Sequence, residues 1–332
     1  MQDDATILND TLDRLLSARV TPGLLRAAEE GTWPGALWQE LVGLGLTEIF
    51  RGMSDRPWRD AAVVMRMAGR HALPLPLPET ILASALLPEE EFDPLEPIAI
   101  IAWEEGEEAA WPWPDQVRRA IGISRDGTAH WLAREGEIGA PARSLTREPR
   151  HAARVKRGFS SGADARLLAA LMRAAQMAGA IERVLALTVE HARTRVQFGK
   201  AISAFQAVQH QLAVLAGNAA AAAASVDAAF ARQDRSEMPV RGGMAVRDTM
   251  AERDMMVAKI HAGEAAGLGA AIAHQLHGAI GFTDEHTLHF YTRRLWSWRA
   301  QFGNESEWAR ELGRTICAAG ADSLWLAIAT RD

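Results

Sequence analysis

The chain has 332 residues, of which 48% are hydrophobic and 23% charged, so it has enough apolar surface for a sizeable core. Its 36 Lys and Arg against 42 Asp and Glu give a net charge of −6, without the basic excess that nucleic-acid binding requires. The single cysteine, Cys317, excludes an internal disulfide. No signal peptide begins the chain, and polar residues interrupt each apolar segment before about 20 residues. We therefore expect a cytoplasmic protein that does not enter the membrane.

The first 88 residues predict a helical domain. Apolar positions recur at spacings of three and four over residues 5–51 and again over 60–71, the period of helices with one buried stripe. The Pro-rich run 73–78 predicts extended backbone, because each Pro lacks an N–H donor and disfavours helix before it. A further helix is expected over 81–87.

Residues 89–160 predict a short β-rich middle domain. The apolar run 98–103 and the segment 128–132 have strand composition, and a turn signal lies between them at 125–128.

After residue 160 the pattern is helical again and predicts a bundle over 161–332. The expected helices cover 163–194, 205–231, 245–277, the residues from 286 past 298, and 307–330. The predicted fold is therefore mostly α with a small β insert: an N-terminal helical domain, a β-rich middle domain and a C-terminal four-helix bundle.

Four histidines raise the possibility of a metal site. His274 and His277 are spaced by three, as are His286 and His289, and such pairs on a helix face could bind a transition metal. The nearest carboxylates fall in a turn, unlike those of di-metal helix bundles. The sequence therefore leaves a metal-binding subunit as an alternative and favours no metal.

Two segments, 193–209 and 275–294, place polar residues and glycines at fixed offsets in otherwise apolar helix ends. The first segment has an Arg beside amide side chains at a helix end, and the second has a helix end with glycines and free backbone N–H donors. Facing each other, the two ends would suit an anionic diphosphate. A helix end with surface Arg and Gln side chains is the alternative interpretation.

Together, in this order and about 80 residues apart, the two segments resemble the C-terminal helical domain of the acyl-CoA dehydrogenase family. Residues 38–45 and 61–76 are similar to the first domain of that family. The resemblance implies a helical domain, a β domain and a helix bundle, with FAD as cofactor. It also implies α,β-desaturation of an acyl-CoA thioester.

The same resemblance implies FAD contacts from both segments. They are Arg195, Gln197, Phe198, Phe205 and Gln206 in the first segment, and Gln275 with the backbone around His277 and Gly278 in the second. The second set typically reaches the FAD of a neighbouring subunit.

The departures from the family pattern matter equally. The middle domain is shortened, and its flavin-facing loop is not found between residues 88 and 155. The two family positions of the catalytic Glu fall on residues without a carboxylate: Phe302 or Gly303, and Ala169 or Ala170. Glu305 and Glu307 lie close to the first position and are the fallback candidates for a relocated base.

We therefore expect a smaller, base-lacking subunit of a heteromeric α2β2 acyl-CoA dehydrogenase. A longer family member would be its partner, and an electron-transfer flavoprotein is the expected type of acceptor. Similar two-gene enzymes act on steroid side-chain CoA thioesters, which makes such a thioester the leading substrate. The alternatives are a self-sufficient homomeric dehydrogenase that uses Glu305 or Glu307, and a flavin-free structural or metal-binding subunit.

Overall fold

The computed structural model describes residues 4–52, 54–142, 144–161, 165–235 and 249–320. The predicted helix starts at residues 163 and 245, and the predicted helix end at 330, lie outside the described residues.

Five α-helices form the N-terminal part, with short 3-10 turns at Leu46–Arg51 and Glu89–Glu91. They are α1 (Asp4–Arg19), α2 (Pro22–Glu29), α3 (Gly35–Gly43), α4 (Pro57–Arg70) and α5 (Leu77–Leu86). Helix α5 begins earlier than the sequence predicted, because Pro78 occupies the first turn, where a helix needs no N–H donor.

The middle part is a sheet of five strands in the order β1-β3-β4-β5-β2. The strands are β1 (Ile98–Ala102), β2 (Ala109–Pro112), β3 (Arg119–Ile123), β4 (Ala129–Glu135) and β5 (Arg150–Ser161). Only the pairing of β1 with β3 is parallel; β3–β4, β4–β5 and β2–β5 are antiparallel.

The C-terminal part is a bundle of long helices, joined at one end by a two-stranded hairpin. It contains α6 (Ala165–Thr194), β6 (Val196–Gln197), β7 (Lys200–Ala201), α7 (Gln206–Arg235), α8 (Thr249–His277), α9 (Leu288–Ala300) and α10 (Glu305–Ala319). The mostly α fold with a small sheet and a C-terminal bundle is confirmed. The boundaries at residues 88 and 160 stay predictions.

Glycines allow helix α4 to pack directly on α6. A Cβ added at Gly69 would overlap the Gln176 carbonyl, and one at Gly179 would overlap that of Arg66. The two backbones therefore touch, which fixes the N-terminal helices on the bundle at the level of Gln176.

Helix α7 has a composition that membrane-spanning helices share. It is the one helix in the described ranges that is long and apolar enough to cross a membrane, by length and composition alone. Its stretch between Gln211 and Asp227 contains only small or apolar residues and Asn218, and the two flanking polar residues end the stretch before about 20 residues. One stripe of α7, including Leu215 and Val226, is buried, as in a helix that packs into a bundle.

Candidate functional site

The first predicted segment forms a hairpin that projects from one end of the bundle. The backbone N–H of Ile202 donates to the Arg195 carbonyl at 2.9 Å and closes the hairpin after α6. Phe198 and Gly199 make its tip in left-handed conformations, with φ of 53° and 81°. A left-handed residue is costly except for Gly, so this tip is built to turn sharply.

Most of the candidate FAD contacts of this segment face outward. Arg195, Gln197 and Gln206 are exposed, and the Phe198 side chain is 89% exposed. Phe205 is half-buried, with its ring centroid 6.1 Å from that of Phe198. Arg195 makes no ion pair with any residue that the structure describes, so its guanidinium is available to an external anion.

The second predicted segment begins where α8 ends at His277. Gly278 has a φ of 63° and starts the 3-10 turn Gly278–Phe282. Gln275 and Gly278 are exposed, and a Cβ added at Gly278 would meet no atom within 4 Å. His277 itself is buried, so its side chain does not face a ligand from outside.

The structure brings the two segments to the same end of the bundle. The imidazole rings of His191, in the last turn of α6, and His277 stack with centroids 4.4 Å apart and planes inclined by 22°. Arg195 follows His191 by one helical turn, and its positive charge lowers the pKa of His191 after the larger effect of burial.

Neither family position of the base carries a proton acceptor. Ala169 and Ala170 are fully buried in α6. Phe302 is buried with a φ of 57°, and the Arg173 guanidinium lies 5.9 Å from the centroid of its ring. Gly303 is packed too tightly for any side chain, since an added Cβ would lie 2.6 Å from Trp308 Nε1.

The two fallback carboxylates are held in ion pairs. Glu305 receives hydrogen bonds from Arg299, with Nε 3.0 Å from both carboxylate oxygens, and this bonding lowers the pKa of Glu305. Glu307 pairs with Arg166 at 2.8 Å. A carboxylate with a lowered pKa is a weaker base, and both would have to leave their arginines to accept a substrate proton.

A buried ion pair occupies the region between these base positions. Arg173, in α6, donates to Glu79 at 2.7 Å, and the two side chains are only 3% and 13% exposed. Its other nitrogens donate to Gln301 Oε1 at 2.8 Å and Gln176 Oε1 at 2.5 Å. These contacts join α5, α6 and the end of α9, so we call Glu79, Arg173, Gln176 and Gln301 the ionic plug.

The ionic plug leaves little space beside it. The cavity that it lines, between α5, the sheet, α6 and α9, has a volume of about 40 Å³. Ligand sites typically measure about 300 to 1,000 Å³, and a water molecule takes up about 30 Å³ of liquid. The cavity therefore has no room for a flavin ring or an acyl chain.

Sequence reasoning missed the buried cations Arg173 and Lys259. Lys259 is fully buried, and its Nζ donates to the carbonyls of Trp298 and Arg299 at 2.8 and 3.1 Å, at the end of α9. Burial lowers the pKa of Lys259 to about 7. The sequence signal that could have revealed such residues is a cation within an apolar stretch of a predicted helix. Arg173, for example, stands between Met172 and Ala174.

The histidines that suggested a metal do not make a metal site within the described ranges. No group of three or more His, Cys, Asp or Glu side chains there is arranged to hold a metal ion. Instead, His274 stacks on Phe282, His277 meets His286 edge to face, and His289 lies against Phe290.

Comparisons with known proteins agree with the sequence motifs. Residues 157–311 match the family model described as acyl-CoA dehydrogenase, C-terminal domain. The acyl-CoA dehydrogenase IpdE2 of Mycolicibacterium smegmatis is 30% identical over 332 residues, covering 94% of this chain and 98% of the relative.

Solved structures show the same fold. A chain of the ChsE4-ChsE5 complex from Mycobacterium tuberculosis superposes with a TM-score of 0.80 at 19% identity, over 97% of this chain and 99% of that one. A chain of the Tcur3481-Tcur3483 steroid ACAD G363A variant gives a TM-score of 0.76 at 20% identity, over 95% and 98%. The similarity to IpdE2 over nearly the full length, together with the match of this chain's C-terminal bundle to the family model, shows that this chain belongs to the acyl-CoA dehydrogenase family.

Proposed function

We propose that this chain is the base-lacking subunit of a heteromeric FAD-dependent acyl-CoA dehydrogenase. It contributes contacts to the FAD, while a longer partner subunit supplies the base and the substrate cleft. The observation that carries this proposal is the filled interior: neither family position of the base carries a carboxylate, and the cavity beside the ionic plug measures only about 40 Å³.

FAD is the cofactor that family membership supports, and the exposed end of the bundle fits its diphosphate. Arg195 is an exposed cation without an ion-pair partner among the described residues, and Gly199 and Gly278 leave open space beside their backbones. A cation next to accessible backbone N–H groups is suited to bind the diphosphate of a dinucleotide. The cavity beside the ionic plug has no room for the flavin ring.

Within the proposed enzyme, this chain binds and orients. Arg195 neutralises the diphosphate, Gln197 and Gln206 offer amide hydrogen bonds, and the turn after α8 brings backbone N–H groups to the same end. When bound, FAD supplies the acceptor for the hydride removed from the acyl β-carbon. The partner's base removes the α-proton, because neither Glu305 nor Glu307 is free to do so.

The names of similar proteins support the substrate class. The Tcur3481-Tcur3483 structure is described as a steroid ACAD, and ChsE4-ChsE5 is a complex of two different subunits. We infer a steroid side-chain CoA thioester as substrate, an electron-transfer flavoprotein as acceptor and a cytoplasmic location. The test is to purify the complex and compare its kcat/KM for a steroid side-chain CoA thioester and for butyryl-CoA. A preference for butyryl-CoA would exclude the steroid assignment.

The chain expressed alone is expected to be poorly soluble or poor in flavin. The outer face of α7 is mostly small and apolar, with Ala213, Gly217, Ala220, Ala224 and Ala228 exposed, which fits a surface that another subunit covers. Co-expression with the longer family member should restore solubility and bring bound FAD, measured by absorbance at the flavin bands. A stable, FAD-saturated homomer would contradict the proposal and favour the homomeric enzyme.

Glu305→Gln and Glu307→Gln, singly and together, should leave desaturation by the complex nearly intact. Removing a true general base typically costs about 10² to 10⁴ in rate, which is well separated from small packing effects. The assay follows reduction of an artificial electron acceptor, with Glu311→Gln on the exposed face of α10 as the matched control. A loss above about a hundredfold in either variant, with FAD content unchanged, would make this chain the catalytic one.

A further inference from the structure

Four histidines form a cluster beneath the turn Gly278–Phe282. We call His191, His274, His277 and His286 the histidine cluster. His277 stacks on His191 at 4.4 Å between centroids and meets His286 edge to face at 4.7 Å, while His191 and His286 lie 6.4 Å apart. These contacts link the end of α6, the end of α8 and the residues before α9.

Hydrogen bonds to the backbone fix which nitrogen carries the proton in the neutral forms of His277 and His286. The bond to Ala273 by itself raises the pKa of His277, and burial outweighs it. His277 Nδ1 lies 2.8 Å from the Ala273 carbonyl and donates to it, so the neutral ring leaves Nε2 as an acceptor, and that atom is buried without a partner in the described structure. His286 Nδ1 accepts from the backbone N–H of Leu288 at 3.1 Å and must be unprotonated to do so. Protonation would therefore bury an unpaired N–H on His277 or break the bond to Leu288.

The turn packs directly on the cluster. The Phe282 ring stacks on His274 with centroids 4.4 Å apart. A Cβ added at Gly281 would lie 3.0 Å from His277 Cβ and 3.3 Å from His274 Nδ1, so the turn packs closely against the base of the His277 side chain and the His274 ring. His274 is in turn oriented by its Nε2, which lies 3.1 Å from Thr292 Oγ1. The position of the turn thus depends on the position of the rings.

The charges around the cluster do not favour its protonation. Burial lowers the pKa of all four histidines, and that of His277 falls to about 4. Arg195 and the other imidazoles add to the lowering for His191 and His277. Glu190 acts in the opposite sense on His286, as does the hydrogen bond to Ala273 on His277.

The neighbouring His289 donates to the His286 carbonyl at 2.7 Å. It faces Asp284, Arg293 and Arg147, and burial lowers its pKa as well. The folded cluster therefore binds fewer protons than free histidines do, and its stability is lost as the pH falls from about 6.5 towards 4.

We propose that the histidine cluster positions the Gly278–Phe282 turn, and that it does so only while its imidazoles are neutral. Acid charges the stacked rings, which repel one another, and the turn opens. If the turn holds FAD as proposed above, its opening releases the dinucleotide; this last step rests on the proposed function, whereas the opening itself does not. The four histidines are positioning residues in this scheme.

Hydrogen exchange of the co-expressed complex at about pH 7.5 and pH 5, corrected for the intrinsic pH dependence of exchange, tests the opening. We expect protection of a peptide covering residues 275–288 to fall about tenfold at the lower pH, since one unit of pKa shift corresponds to a tenfold change in equilibrium. A peptide from α4, Pro57–Arg70, which contains no histidine, is the internal reference. Equal behaviour of the two peptides would overturn the proposal without any variant.

His191→Phe keeps a ring to stack on His277 and removes one titrating group. His191→Phe should reduce the acid effect to about threefold or less. The matched control is His261→Phe, because His261 is 45% exposed on α8 and contacts Glu264 instead of the cluster. An unchanged acid effect in His191→Phe, or an equal reduction in His261→Phe, would contradict the assignment.

FAD release, followed by flavin fluorescence on the same samples, separates this inference from the proposed function. Acid opening with matched FAD release supports both. Opening without any change in FAD release supports the cluster and contradicts the role of the turn in FAD binding. Release without opening supports FAD binding by the complex and contradicts the role of the histidines.

Discussion

Replacing Arg173 by alanine is expected to lower the free energy of unfolding by about 3 to 5 kcal/mol. Arg173→Ala removes the guanidinium that satisfies Glu79, Gln176 and Gln301, and leaves the Glu79 carboxylate buried without a cation at 2.7 Å. An unpaired buried charge costs far more than the pair contributes. The measurement is urea unfolding of the complex, followed by hydrogen exchange in peptides of this chain.

Two further variants make this result specific. Arg314→Ala breaks an ion pair with Glu311 whose side chains are 69% and 51% exposed, and should cost less than about 1 kcal/mol. Arg173→Met combined with Glu79→Gln removes both charges and should recover most of the stability. Equal losses in Arg173→Ala and Arg314→Ala would show that the interior is open to water, and the filled-interior argument would then fail.

Arg195→Ala is expected to weaken FAD retention by the complex about 10- to 100-fold. The loss of one charge-assisted hydrogen bond near a diphosphate is worth about 1.5 to 3 kcal/mol, and about 1.4 kcal/mol corresponds to tenfold in affinity. Arg195→Lys should recover only part of the loss, because an ammonium group cannot bind the diphosphate through two parallel hydrogen bonds. FAD content after gel filtration and the rate of flavin release measure the effect.

Arg193→Ala is the matched control for Arg195→Ala. Arg193 is also exposed and lies in the last turn of α6, but it stands outside the predicted set of FAD contacts. Unchanged FAD content in Arg195→Ala, or an equal loss in both variants, would remove Arg195 from the cofactor site.

Local patterns in the sequence were sufficient for the architecture. The spacing of apolar residues predicted the helices at both ends, and the β-forming run at 98–103 predicted the first strand, found at Ile98–Ala102. Helix α7 shows the limit of such patterns: its alanines give it a membrane-like composition, and its burial depends on neighbours that composition does not reveal.

Motif spacing was likewise sufficient for the family, whereas the FAD contacts and the missing base stay predictions. The motifs depend on residues close together in the chain. The ionic plug and the histidine cluster depend on the tertiary structure alone, because Glu79 meets Arg173, and His191 meets His277 and His286, only when separate helices pack. The sequence does not tell whether a charged or imidazole side chain is solvated or buried, and its burial decides its pKa and its partners. The sequence by itself therefore determined what this chain is related to, whereas packing decided that Arg173 and Glu79 form a buried ion pair and that His191, His277 and His286 come together.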